Sequence, residues 1–142
     1  MNAKTKQKEM DNRLFEHEFE PTLNSRFIVE FLDKEGDKVI PSYLLYGLSD
    51  QGNDAVEVSM YVAISFDMYK EILNEDVVDQ INLYWLDPTG CKTHSLTYND
   101  VELESFTFND LYWKENEEDE DFTKFKATYS FSNKKLNQAY ED

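Results

Sequence analysis

From Val56 to Ile64 the chain alternates with a period of two: Val56, Val58, Met60, Val62 and Ile64 fall on one side, Glu57, Ser59, Tyr61 and Ala63 on the other. Successive side chains of a β-strand point to opposite faces, so this run predicts a strand with one buried and one mostly polar side. No helix accommodates it, because a period of 3.6 would spread the apolar residues around the axis. Other stretches repeat the pattern. Phe27, Val29 and Phe31 share a face ahead of the turn Asp33-Lys34-Glu35-Gly36-Asp37, and a second strand is read from Val39 to Leu48, before the loop Ser49 to Asp54. Ile81, Leu83 and Trp85 alternate with Asn82 and Tyr84. In Asp87-Pro88-Thr89-Gly90, proline at the second position and glycine at the fourth favour a type I turn, from which Lys92 to Tyr98 returns as a hairpin.

Val101 and Leu103 alternate with Glu102 and Glu104, but Phe106 and Phe108 continue on the opposite parity, which predicts a bulge near Ser105. Phe125, Ala127, Tyr129 and Phe131 form a last strand before a polar tail. One segment changes period. Tyr69, Ile72, Leu73 and Val77 are spaced as on a helix face behind Asp67 as N-cap, predicting one helix between Phe66 and Gln80. The expectation is a single mainly-β domain over residues 21–142, with seven or eight antiparallel strands and one short helix, preceded by a flexible arm over residues 1–20.

Composition narrows the function. Thirty acids against fourteen bases leave a net charge of −16 on 142 residues, and an aromatic content of 15% supplies a core that disordered acidic chains lack. Lys4, Lys6 and Lys8 open the chain without an acid among them, whereas from Val39 to Trp113 the only bases are Lys70 and Lys92. Nucleic-acid binding needs Lys and Arg to displace condensed counterions, so such a body repels phosphate backbones. What remains is a role in which repelling DNA is useful, or one in which acid mimics it. Four glycines and three prolines leave no Gly-rich loop to cradle a phosphate. Cys91 is the only cysteine, which excludes an internal disulfide and a thiolate metal cage. The first ten residues lack the apolar run of a signal peptide and no stretch is long enough to span a membrane, so a soluble chain of cytoplasmic origin is expected.

No catalytic or metal constellation emerges. Six acids in the seven residues Glu115 to Asp121 lack the glycine and spaced carboxylates of a cation loop and read as a solvated hairpin tip. His17 and His94 have no ligand partner at a recognised spacing. Ser95 adjoins His94, but neighbours on a strand face opposite ways and cannot act on one another. Glu102 and Glu104 sit on one strand face at about the 7 Å a carboxylate pair needs. Without a pocket to raise one pKa they describe an exposed sheet face. Trp85, Trp113 and the other aromatics read as core or subunit interface. No enzyme activity, cofactor or metal is expected.

Three segments carry a family likeness. Leu23 to Phe31, where Asn24 precedes an alternating Phe27-Ile28-Val29 run, looks like an opening strand. Gly47-Leu48-Ser49 followed by Val56-Glu57-Val58 looks like a loop and long hairpin strand, and Ile81 to Pro88, with Val101 to Trp113 and Phe122 to Phe131 behind it, looks like a strand ending in Asp-Pro with a closing hairpin. In this order the chain resembles the tail tube proteins of contractile-tailed bacteriophages. The resemblance implies a tail-tube-type β-barrel or sandwich whose copies form hexameric rings stacked into a tube. It also implies tail sheath and baseplate or tail-initiator partners, DNA passing through without specific binding, no membrane, and a place in the virion tail after assembly in the host cytoplasm.

On that reading Glu57, Glu102 and Glu104 face an acidic lumen, and Val56, Val58, Met60 and Tyr61, on the long hairpin strand, meet a neighbouring subunit. Joining sheets around a ring would also remove the strand edges that a monomer exposes. Baseplate-end and terminator proteins share the resemblance. An acidic DNA-mimic inhibitor is the alternative from another class; it would stay a monomer or dimer.

Overall fold

A computed structural model describes residues 26–63, 67–109 and 122–138. Among these residues eight strands form two four-stranded antiparallel sheets. The first holds β1 (Phe27–Leu32), β4 (Gln80–Leu86), β5 (Lys92–Asn99) and β8 (Asn133–Gln138), in the order β1-β4-β5-β8. The second holds β2 (Leu45–Asp50), β3 (Ala55–Tyr61), β7 (Lys124–Ser130) and β6 (Glu102–Phe108), in the order β2-β3-β7-β6. Among the described residues the sheets do not close into a barrel. The arm over residues 1–20, Leu23 to Ser25, Ile64, Trp113 and the acidic run Glu115 to Asp121 lie outside the described residues.

The alternation read in β3 sets the core. Val56, Val58 and Met60 have no exposed surface and face Val29, Phe31, Ile81 and Tyr98 of the other sheet together with Phe125, Ala127 and Tyr129 of β7. Phe31 meets Tyr129 edge-on, with ring centroids 5.5 Å apart, and this pair bridges the two layers. The predicted bulge is present: the β6–β7 register slips between Leu103 and Ser105, so Leu103 faces inward opposite Tyr129 and Phe106 resumes opposite Ala127. The Asp87 turn forms as expected. The Asp87 carboxylate accepts from the Thr89 hydroxyl (2.6 Å), the Thr89 N–H (2.9 Å) and the Cys91 N–H (3.0 Å), and Gly90 takes a φ of 87° that a side chain would resist.

Three elements differ from the sequence reading. The second strand begins at Leu45, because Pro41 lacks a ladder donor and the chain winds one 3-10 turn over Ser42–Leu44 before pairing; it then runs on to Asp50. The helix is shorter than the periodicity predicts. It comprises α1 (Asp67–Lys70) and a π-helical turn over Glu71–Glu75, ending where Asp76 adopts a left-handed conformation (φ 50°, ψ 55°) and its carboxylate accepts the Leu103 N–H at 3.2 Å. Tyr69 and Ile72 are buried, and the Tyr69 hydroxyl donates to the Tyr61 carbonyl while accepting from the Ala63 N–H (3.1 Å), so the helix plugs the end of β3. Finally, the tail after Phe131 contains β8. It completes the first sheet alongside β5 with the polar residues Asn133, Lys134, Lys135 and Asn137, a composition suited to an edge.

The sheets are tied at one end by a polar cluster. Asp50, at the end of β2, accepts from the Tyr98 hydroxyl on β5 (2.8 Å), from Lys134 on β8 (2.9 Å) and from the Gly52 N–H (2.8 Å). Burial alone would raise the Asp50 pKa, but the Lys134 ammonium and the Gly52 and Tyr98 donors outweigh it and hold the carboxyl below its ordinary value. The Tyr98 hydroxyl moves the other way: burial and the hydrogen bond to Asp50 push its pKa well up.

Candidate functional site

The second sheet presents its outer face to solvent, and the strand registers assign its residues. Ser49 pairs with Glu57, Glu57 with Thr128, Ser59 with Lys126 and Glu102 with Ser130. Residues directly opposite share a face, so Gly47, Ser49, Glu57, Ser59, Lys126, Thr128, Ser130, Glu102, Ser105 and Thr107 form one surface of short polar side chains with a few charges. Glu57 lies half-buried with a carboxylate oxygen 3.9 Å from the Lys126 ammonium. Glu102 is exposed on the same face. Glu104 is exposed as well, but it is the extra residue of the bulge and has no cross-strand partner, so the two-residue repeat linking it to Glu102 is interrupted.

Val56, Val58 and Met60 have another role than the contact role read from the sequence. They are fully enclosed in the chain's own core, between its two sheets, and offer no surface to a neighbour. Tyr61 is different. It lies on the outer face at the end of β3, packed on Tyr46 with centroids 4.3 Å apart and edge-on to the exposed ring of Phe122 at 5.6 Å. His94 and Ser95 face opposite ways as expected: His94 stacks on Trp85 at 4.5 Å, while Ser95 is buried on the other side of its strand. Among the described residues no group of three His, Cys, Asp or Glu side chains is arranged to hold a metal ion.

Lys124 and Lys126 are the residues that the charge survey passed over. Their signal was in the sequence, since Lys124, Lys126 and Thr128 alternate with the core residues Phe125, Ala127 and Tyr129 and must share the outer face with Glu57. Among the described residues acid is densest around an open groove of about 650 Å³ at the end of the subunit where β1 stops and β6 begins, lined by Asp33, Glu35, Glu75, Asp76, Asp79, Asp100 and Glu102 together with Lys34. The outer face of the first sheet carries its own network. There Glu30, almost wholly buried, lies 3.2 Å from Lys38 and 4.0 Å from Lys92, and the Lys92 ammonium sits 3.9 Å above the Tyr84 ring.

A scan of family models and a search of curated proteins returned no match. Comparison with solved structures did. The chain superposes on a component of the sheath-tube complex of an extracellular contractile injection system (PVC) in the extended state, with a TM-score of 0.62 and 13% identity over 90% of this chain and 97% of the other. The chain has the tail-tube fold. The tube-terminating cap of the anti-feeding prophage matches with a TM-score of 0.60 and 15% identity, over 84% of this chain and 92% of that one. The SPP1 tail tube matches at 0.56 and 12%, over 85% and 81%. Structural proteins of tubes and their terminators thus share its fold.

Proposed function

We propose that the chain is a structural subunit of a phage-type tail tube, in which copies join edge to edge into a ring and rings stack into a conduit for DNA. The observation that carries this reading is the second sheet itself. Among the described residues its two outer strands, β2 and β6, are both unpaired on one side, and each of the three pairings between them is antiparallel, so β2 and β6 run in opposite directions. When copies are related by rotation about a common axis, β6 of one therefore lies antiparallel to β2 of the next, and the ladder continues around the ring with no edge left over. A six-membered ring would contain far more strands than the 16 to 18 or so that already enclose a water-filled channel.

The polar face carrying Glu57, Glu102 and Glu104 then lines the bore, and the first sheet, with Glu30, Lys38 and Lys92, faces outward toward a sheath. Tyr61, with Tyr46 and Phe122 at the rim, is the contact to the adjacent ring. The same architecture serves a cap or terminator, as the anti-feeding prophage cap illustrates. Size-exclusion chromatography and negative-stain microscopy of the full chain test the reading. Rings or tubes are expected, alone or on a tail initiator. Rings that never stack would indicate a terminator, and a persistent monomer at high concentration, with and without other tail components, would refute assembly and favour a DNA mimic.

A further inference from the structure

Exposed aromatic rings mark both edges of the second sheet at the same end. Phe106 and Phe108 project from β6 on its core-facing side, opposite Ala127 and Phe125, yet they stay 44% and 39% exposed because β6 is the last strand. At the other edge Tyr43, 80% exposed, lies in the 3-10 turn that leads into β2. The registers relate the two ends of the sheet's edges. Phe108 is level with Phe125, Phe125 with Met60 and Met60 with Leu45, so Leu45 is level with Phe108 on the opposite edge, and Tyr43 precedes Leu45 by two residues in the 3-10 turn.

Large exposed apolar groups are costly to leave in water, and aromatic rings dominate interface energetics when a partner covers them. A joint between copies related by rotation needs two different patches on one molecule, one at each edge. We propose that Tyr43 of one copy packs against Phe106 and Phe108 of the next, as the apolar lock that closes each joint of the ring. The proposal rests on the edge-to-edge reading above and adds the residues that hold the joint. The alternation of strand directions brings the two patches to the same end of the joint. Strand tilt in a closed barrel slides neighbouring strands along one another, which selects between Phe106 and Phe108 as the nearer partner.

Cysteine cross-linking tests it in the whole 142-residue chain with Cys91→Ser, which removes the exposed native thiol. Tyr43→Cys is combined with Phe106→Cys or with Phe108→Cys. Within one copy β2 and β6 are three strand spacings apart, about 14 Å, too far for a disulfide, so any bond formed joins two molecules. Mild oxidation of assembled protein should give a ladder of covalent oligomers with at least one pair, and a mixture of the corresponding single-cysteine proteins should give dimers and nothing larger. Tyr43→Ser, at an exposed turn, should leave the monomer's melting unchanged and raise the concentration needed for assembly at least about tenfold. Rings or tubes that form normally with Tyr43→Ser, and in which neither pair cross-links, would overturn the lock while leaving the ring reading intact. If the wild-type chain never assembles, the ring reading falls and the lock with it.

Discussion

Asp50→Asn should loosen the tie between the two sheets by an amount that depends on pH. The carboxylate of Asp50 sits on β2 and its partners Tyr98 and Lys134 sit on the other sheet, at 2.8 and 2.9 Å. Asparagine keeps the shape and can still accept one hydrogen bond, but it forfeits the ion pair and turns a donor toward a donor. Hydrogen bonds to charged groups contribute about 1.5–3 kcal/mol against roughly 1 for neutral ones. Asp50 and Lys134 are each about a third exposed, and solvent screening puts the net loss at the low end, about 1–2 kcal/mol near pH 7. For a chain of this size that lowers Tm by about 3–6 °C. The pH dependence has a definite sign. A carboxyl whose folded pKa lies below its unfolded value stabilises the fold above the unfolded pKa, near 3.8, and loses that contribution as pH falls through the folded pKa. Acidification also relieves repulsion among the thirty acids, which shifts wild type and variant alike. The difference between the two proteins is therefore the quantity to follow. Denaturant or thermal melts by circular dichroism should show a gap at pH 7 that narrows below about pH 4. A gap of the same size at pH 7 and pH 2.5, or no gap at neutral pH, would refute the assignment of net stabilisation to this cluster.

Val58→Ala should cost the monomer about 2–3 kcal/mol through lost burial and a residual cavity, whereas Tyr61→Ala should cost about 1 kcal/mol yet hinder the stacking of rings; equal effects of both on monomer melting would contradict their placement on opposite faces. Tyr129→Phe should leave stability unchanged or raise it by up to about 1 kcal/mol, because the Tyr129 hydroxyl is buried with no hydrogen-bond partner among the described residues; a clear loss in a denaturant melt would mean that the hydroxyl is satisfied. Glu57→Gln frees the Lys126 charge at the proposed bore, so tubes should form normally and retain added duplex DNA in low-salt co-sedimentation more than wild-type tubes do. Equal retention would remove Glu57 from the wall.

The strands that bury a full face were legible because the core is read through their period. Val56 to Tyr61 and Phe125 to Ser130 place every second residue in the interior, and even the bulge at Glu104 announced itself as a change of parity between Leu103 and Phe106. What was not legible depends on partners distant in sequence. β8 carries Lys134, Lys135 and Asn137 and has no periodic apolar face; it becomes a strand because β5 offers an unpaired ladder. The helix stops short because the Asp76 carboxylate finds the Leu103 N–H, 27 residues away, and Val77 continued the helical spacing without belonging to the helix. The assignment of Val56, Val58 and Met60 to a subunit contact failed for a related reason. Alternation separates two faces, but it does not say whether the apolar one meets the chain's own second sheet or another molecule.

The charge of the sheet face alters the reasoning about the bore. A net charge of −16 suggested a wall that repels DNA through its acids. On the outer face of the second sheet, however, Glu57 and Glu102 stand against Lys124 and Lys126, Glu104 is exposed at the bulge, and most of the remaining positions are serine, threonine or glycine. Among the described residues the main cluster of acids lies in the groove at the subunit's end, with Glu102 at the border between groove and face. In a ring of six, four strands each at about 4.8 Å give a circumference of about 115 Å and a backbone radius of about 18 Å before tilt. At physiological ionic strength charges are screened within about 8 Å, so the groove's acids other than Glu102 would contribute little along the axis of such a ring. In the proposed conduit, repulsion by a strong field would then not be what keeps a passing polyanion moving. Phosphate binds tightly where unpaired Lys or Arg can displace its condensed counterions, and Lys126 has a carboxylate 3.9 Å away as its own counterion. Short hydroxyls on the rest of the face exchange hydrogen bonds with water and offer phosphate no charge. In the proposed conduit, a near-neutral wall with Lys126 beside the Glu57 carboxylate would let DNA slide without gripping it, and it would avoid the cost of confining many like charges around a narrow ring.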